Sequence, residues 1–266
     1  MDLIKPNRAV KGKSIKKKKE FGILVAPTIL LIILLGLWEF GVAVSGISRT
    51  VLPAPHAIFS EMSKNFSRDI WPQMLFTLRV ILTGYVVAIP LGILIAAICS
   101  QFKLLTQALT PLIFLLVVTP MITVVPLLML WMGFDNKVRI IVVILQATPI
   151  ILLNTLTGFR TVENSKIELM KSMGATRWQT FIKVIFPNAL PQVFTGLKIG
   201  CIFSTIAAMS ADIAGGKIGL GYRIKEYSGL IMTEMAFGTI IVVALIGIIL
   251  FEFVAMIERK VIVWVK

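Results

Sequence analysis

The sequence is 266 residues long, 57% hydrophobic and 15% charged, with a formal net charge of +14 and a mean hydropathy of +0.92. A soluble domain carries about 45–50% apolar and about 25% charged residues, so these figures exclude that class and indicate one helical membrane domain. The charge does not identify a nucleic-acid binder, because eight of the 27 Lys/Arg residues precede the first apolar run and no aromatic-interleaved basic surface follows.

Residues 1–20 form a basic tail holding Lys5, Arg8, Lys11, Lys13, Lys16, Lys17, Lys18 and Lys19. Such a tail against a hydrophobic span is a positive-inside signal, with added attraction to anionic lipid. Within it, Gly12-Lys13-Ser14 imitates the end of a phosphate-binding loop, but the full pattern needs glycine at position 7, which is Asn7. The chain is therefore not expected to bind ATP by that route. The run 21–44 exceeds the apolar core of a signal peptide and no small-residue cleavage site follows it, so it reads as a retained first span.

The turn Pro53-Ala-Pro55-His56 comes next. His56 is the only histidine and lacks a second metal ligand, so it reads as structural. In residues 56–70, Ile58, Phe59, Met62, Phe66 and Ile70 recur at helical spacing between charged residues, predicting a short amphipathic helix at the outer surface. A bilayer crossing needs roughly 20 apolar residues. The further spans are then 72–98, 107–131, 138–158, 188–211 and 235–257. Pro111, Pro120 and Pro126 should kink or interrupt the third. Gly84, Ala88, Gly92 and Ala96 form a small-residue stripe on the second span; Gly196, Gly200, Ser204, Ala208 and Asp212 continue one on the fifth. Both read as helix-packing seams. Cys99 and Cys201 lie in or beside apolar segments and read as core residues.

With the N-terminus inside, the inner segments hold seventeen Lys/Arg residues and the outer segments seven. Six spans then place both termini on the cytoplasmic side. The longest polar interruption, 159–187, falls on that side and divides into two helical units. Ser165-Lys-Ile-Glu168 has the spacing of a capping box, in which the hydroxyl accepts a backbone N–H and the carboxylate reaches back. Gly174 supplies a left-handed helix stop, and Thr176-Arg-Trp-Gln179 repeats the box. The stub between them carries Ile167, Leu169, Met170 and Met173, which need either the chain's own helix ends or a partner's groove to cover them.

Glu168-Leu-Met-Lys-Ser-Met-Gly174-Ala-Thr, followed by Phe186-Pro187 and Ala189-Leu190-Pro191, resembles the cytoplasmic signature of binding-protein-dependent ABC importer permeases. Leu169 and Met170 stand where that signature has two alanines, and Phe186 where it has leucine. Leu37-Trp38-Glu39, Leu52-Pro53-Ala54-Pro55, Leu78-Arg79-Val80, Pro126-Leu127, Gly219-Leu220-Gly221 and Glu258-Arg259 resemble the nitrate/sulfonate/taurine-like branch of these type I importers, over roughly residues 37–264. The resemblance implies an all-α permease fold in a prokaryotic inner membrane and two copies of the chain enclosing a path. It also implies two separate ATPase subunits, which hold ATP and magnesium, and an external binding protein. Ser165, Glu168, Leu169, Met170, Met173, Gly174, Ala175 and Thr176 would then couple to the ATPase. The family's substrates include nitrate, sulfonates, taurine and heterocyclic vitamin precursors.

The metalloprotease motif needs two histidines where the chain has one, and no Gly-x-Ser-x-Gly nucleophile motif is present, so an enzyme is disfavoured and no cofactor or metal is expected on this chain. An ion-gradient-driven transporter is the better rival, and it calls for ionisable groups near mid-span. Glu39, Asp212 and Glu252 instead fall near predicted span ends. Gln146, Thr148, Asn154, Ser204, Thr205, Ser210 and Asp212 are candidates for the pathway, each with helix-to-helix bonding as its other reading.

Overall fold

The computed structural model describes the backbone of residues 8–264 and the side chains of residues 25–264. The first seven residues and the side chains of Lys11 to Lys19 lie outside the described residues. Every regular element among the described residues is helical, in the order α1 (Arg8–Ser45), α2 (Pro55–Asn65), α3 (Trp71–Gln101), α4 (Lys103–Val118), α5 (Met121–Met132), α6 (Asn136–Arg160), α7 (Asn164–Ser172), α8 (Arg177–Thr180), α9 (Phe186–Gly215), α10 (Leu220–Gly229) and α11 (Thr233–Val261). Five helical runs are long and apolar enough to cross a membrane, and the α4–α5 pair raises the number to six if it counts as one span.

That pair bends by 97°. Proline disfavours helical backbone in the residue before it, and Thr119, which precedes Pro120, is extended at φ −66°, ψ 120°. Pro120 then stands at the N-cap of α5. Pro111 and Pro126 remain inside their helices. The interruption expected in the third span is therefore at Pro120 alone.

Two other helical runs are longer than their apolar cores. The amphipathic segment α2 continues through a π turn, Phe66–Ile70, into α3; α8 continues through a second, Phe181–Ile185, into α9. Each π turn ends just before an X-Pro pair, Trp71-Pro72 and Phe186-Pro187, with Trp71 N–H bonded to the Phe66 carbonyl and Phe186 N–H to the Phe181 carbonyl. Proline has no N–H to give to the preceding turn, and one widened turn absorbs the lost bond without ending the helix.

The core is the packing of α3, α6 and α9. A Cβ added at Gly84 would lie 2.6 Å from Val143, one at Gly92 2.9 Å from Ile151, and one at Gly196 2.8 Å from Asn154. Gly158 on α6 faces α9 in the same way, 2.8 Å from Gln192. Such gaps let helix backbones meet closely where lipid gives no hydrophobic drive for association. Ile151 is fully buried between the two stripes. By contrast α1 exposes Leu30, Leu31, Ile32 and Leu37 around its circumference, as a helix in lipid does. It is tied to the rest where Glu39 pairs with His56 Nδ1 at 2.5 Å and accepts the His56 backbone N–H at 3.2 Å, and where Trp38 meets Phe237. His56 thus joins α1 to α2.

Candidate functional site

The hairpin of α6 and α9 is closed by the 159–187 loop. Aromatic rings hold its base: Phe159 at the end of α6 lies 5.2 Å from Phe181, and Trp178 stacks on Phe181 at 6.0 Å. Beyond this clamp, α7 projects with no buried residue. Leu169 is 61% exposed and Met173 73%. Among the described residues its one long-range hydrogen bond runs from Lys166 Nζ to Asn188 Oδ1, at 3.4 Å. Leu169 and Met173 are therefore left uncovered by the chain's own helix ends, while Ile167 and Met170 are half-buried.

The capping box expected at Ser165 is not formed. Helix α7 begins two residues earlier than such a box requires, at Asn164, with Glu163 in the extended conformation at its N-cap and no side chain capping it. Ser165 is consequently inside the first turn, and its hydroxyl turns towards Glu163 Oε2 at 3.5 Å. Glu163 also pairs with Lys166 at 3.6 Å, which favours the earlier start. Glu168 has no hydrogen bond or ion pair among the described residues.

The far end of the stub follows expectation. Gly174 has φ +73°; its N–H bonds to the Lys171 carbonyl at 3.0 Å, and Ala175 N–H bonds to the Met170 carbonyl at 3.0 Å. This pair of bonds closes a Schellman turn and satisfies the last carbonyls of α7. Thr176 then forms a complete capping box with Gln179: Gln179 N–H donates to Thr176 Oγ1 at 3.2 Å, and Thr176 N–H donates to Gln179 Oε1 at 2.9 Å. A rigid turn with an exposed apolar helix in front of it can transmit force from a bound partner into α9.

The polar residues of the spans behave differently. Ser204 Oγ donates to the Gly200 carbonyl, Thr205 Oγ1 to the Cys201 carbonyl and Asn154 Nδ2 to the Ile150 carbonyl, all within their own helices. Gln146 is buried, and Ser210 Oγ donates to the Ile206 carbonyl. Thr148 Oγ1 is a buried hydroxyl with no hydrogen-bond partner.

Asp212 is the exception. It is 1% exposed near the end of α9 and gathers three other elements. Thr77 Oγ1 on α3 donates to its Oδ2 at 3.0 Å, and Arg139 Nε on α6 lies 3.5 Å from its Oδ1. The turn into α10 closes on the same carboxylate. Leu220 N–H donates to Thr77 Oγ1 at 2.9 Å and Gly219 N–H to Gln73 Oε1 at 2.7 Å. Gly219 has φ +110°, and any Cβ there would run into the Asp212 carboxylate. A Cβ at Gly221 would lie 2.7 Å from Asp212 Cβ. Both glycines of Gly219-Leu220-Gly221 are thus required by closure on Asp212. Arg139 is steadied by Asn136 Oδ1 at 2.8 Å and by the Phe76 ring, 4.9 Å away. Sequence reasoning singled out Asp212 but neither Thr77 and Arg139 as its partners nor Gln73 as the acceptor of the Gly219 N–H. The available signal was Arg139, a charge inside an apolar segment that calls for a counter-ion.

Residues 88–263 match the sequence family described as binding-protein-dependent transport system inner membrane component. The riboflavin transport system permease protein RibX of Chloroflexus aurantiacus is 30% identical over 89% of this chain and 88% of its own length. The putative aliphatic sulfonates transport permease protein SsuC of Bacillus subtilis is 27% identical over 95% of this chain and 93% of its own. The formylaminopyrimidine transport permease protein ThiX of Halalkalibacterium halodurans is 28% identical over 90% and 96%. Two solved structures of the MetNI methionine ABC transporter, in inward-facing conformations, superpose with TM-scores of 0.55 and 0.58 at 21% and 19% identity, each covering 76% of this chain and 98% of theirs.

Proposed function

Because the chain belongs to the family of binding-protein-dependent transport inner membrane components, and is an ABC importer permease for small solutes, we propose that it works as one of two copies driven by separate ATPase subunits. The observation that carries this reading is α7: a short helix with apolar residues uncovered, held by the Gly174 turn and the Thr176 cap at the base of the α6–α9 hairpin. Leu169, Met170 and Met173 enter a groove of the ATPase, and closure of the two ATPase subunits on ATP shifts α7 and, through Phe181 and Phe186, α9. Both termini and α7 lie on the cytoplasmic side in this reading, supported by the bias of basic residues. ATP and magnesium belong to the partner.

The solute path lies on a face that one chain leaves open, since Gln146, Ser204, Thr205 and Asp212 are buried in its own seams. A second copy on the exposed side of α5, where Leu127, Leu130 and Trp131 stand uncovered, completes it. The solute is delivered by an external binding protein and belongs to the classes named for the relatives, riboflavin, aliphatic sulfonates and a formylaminopyrimidine, or to nitrate and taurine, which name two further relatives.

The test is co-purification of the ATPase with chains carrying Leu169→Asp or Met173→Asp. Both side chains are exposed, so insertion and folding should be unaffected, while ATPase recovery falls at least about tenfold, as expected when a charge replaces a buried apolar anchor. Undiminished recovery with both variants would contradict the docking role of α7.

A further inference from the structure

Two cavities adjoin at one end of α3. The first, of about 570 Å³, is lined by Ser100, Gln101, Lys103, Gln107 and Arg160, with Cys99 and Thr106 at its floor. It holds two cations and no carboxylate, and neither Lys103 nor Arg160 has an ion-pair or hydrogen-bond partner among the described residues. Helix α4 starts at this cavity with no side chain capping it, so its first backbone N–H groups add to the positive field. The second, also about 570 Å³, shares Gln101 with the first and is otherwise almost wholly apolar, formed by Leu94, Ile98, Phe102, Phe159, Trp178 and Phe181 among others. Arg177 also lines it.

We propose that these two cavities form one site for an anionic phospholipid, with its phosphate between Lys103 and Arg160 and one acyl chain in the groove along α3. From Gln101 to Leu94 the groove runs about 10 Å along the helix axis, which matches most of one hydrocarbon leaflet of about 15 Å. A free phosphate has no use for the apolar half. An acidic surface on a protein partner would leave the groove empty as well. A cationic pocket continuous with an apolar channel on the outside of a helix bundle has the chemistry of a lipid headgroup site. Trp178 at the edge, 69% exposed, is the residue type that settles at a membrane–water interface. The assignment of this site to the inner leaflet rests on the topology proposed above; binding itself does not.

The full-length chain in detergent, examined by native mass spectrometry with added phosphatidylglycerol or phosphatidylethanolamine, tests the site. Phosphatidylglycerol should be retained about tenfold more strongly. Lys103→Gln with Arg160→Gln should abolish that preference, whereas Lys103→Arg with Arg160→Lys should keep it. Leu94→Trp, which fills the groove, should weaken both lipids alike. Equal retention of the two lipids by the wild type, or an unchanged preference in the glutamine variant, would overturn the proposal. So would displacement of lipid by millimolar inorganic phosphate with no effect of Leu94→Trp, which would mark a bare anion site. Displacement of lipid by added ATPase subunit would also overturn it, marking a protein interface. Because detergent binding is blind to orientation, a reversed topology would leave these results intact and appear only in impermeant thiol labelling.

Discussion

At Gly174 the backbone has φ +73° and a Cβ would meet nothing within 4 Å, so a substitution there acts through strain alone. Left-handed backbone costs an L-residue roughly 1–2 kcal/mol, and most for a β-branched one. Gly174→Val should therefore unwind the Schellman turn and tilt α7, abolishing substrate-stimulated ATP hydrolysis while expression stays normal. Gly174→Asn should keep at least half of the activity, because asparagine tolerates this conformation. Glu168→Lys cannot act through the absent capping contact; a loss of coupling in that variant would have to come from the partner's surface. Asp212 is a different kind of residue, since its partners are buried with it. Removing one member of a buried pair costs about 3–5 kcal/mol, so Asp212→Ala should lower the melting temperature sharply in a detergent stability assay. Asp212→Leu combined with Arg139→Leu should recover a large part of the loss. A double variant no better than the single one would show that Arg139 is not the counter-ion.

Among the helices, the seams predict a sharp contrast between glycines. Gly196→Val forces a branched side chain into Asn154 and the Ile151 backbone, and overpacking of this kind costs about 1–3 kcal/mol. Gly247→Ala meets nothing within 4 Å and should leave the folded yield unchanged, which the monodisperse peak in size-exclusion chromatography would report. The span positions, the small-residue stripes and an interruption of the third span were legible because each depends on local pattern: apolar length, four-residue spacing and proline content. Which of Pro111, Pro120 and Pro126 breaks the helix was not, since each has the same local effect on its predecessor. The start of α7 was misread because Ser165-x-x-Glu168 is a spacing, whereas the residue that enters the helix first is set by the backbone at Glu163 and the Lys166 contact. The Asp212 knot was only half legible. Its partners lie 73 and 135 residues away along the chain, at Arg139 and Thr77, and nothing in local sequence pairs them.

For the whole molecule, the topology proposed from the basic bias has residue 171 inside and residues 64 and 225 outside. Single cysteines at these positions, in a chain otherwise lacking exposed thiols because Cys99 and Cys201 are buried, should react with an impermeant reagent in intact cells only at 64 and 225. Labelling at 171 would reverse the topology and remove α7 from the ATPase. The fold, the exposed α7 and the family all bear on one claim, that transport is powered by ATP hydrolysis on a separate subunit acting through the 159–187 loop. The most direct test is solute uptake by proteoliposomes holding the chain with its ATPase and external binding protein. Uptake should require ATP on the side of α7, survive collapse of the proton gradient, and vanish in Gly174→Val while the complex stays assembled. Accumulation by the chain alone, driven by a proton or sodium gradient without ATPase or ATP, would contradict it.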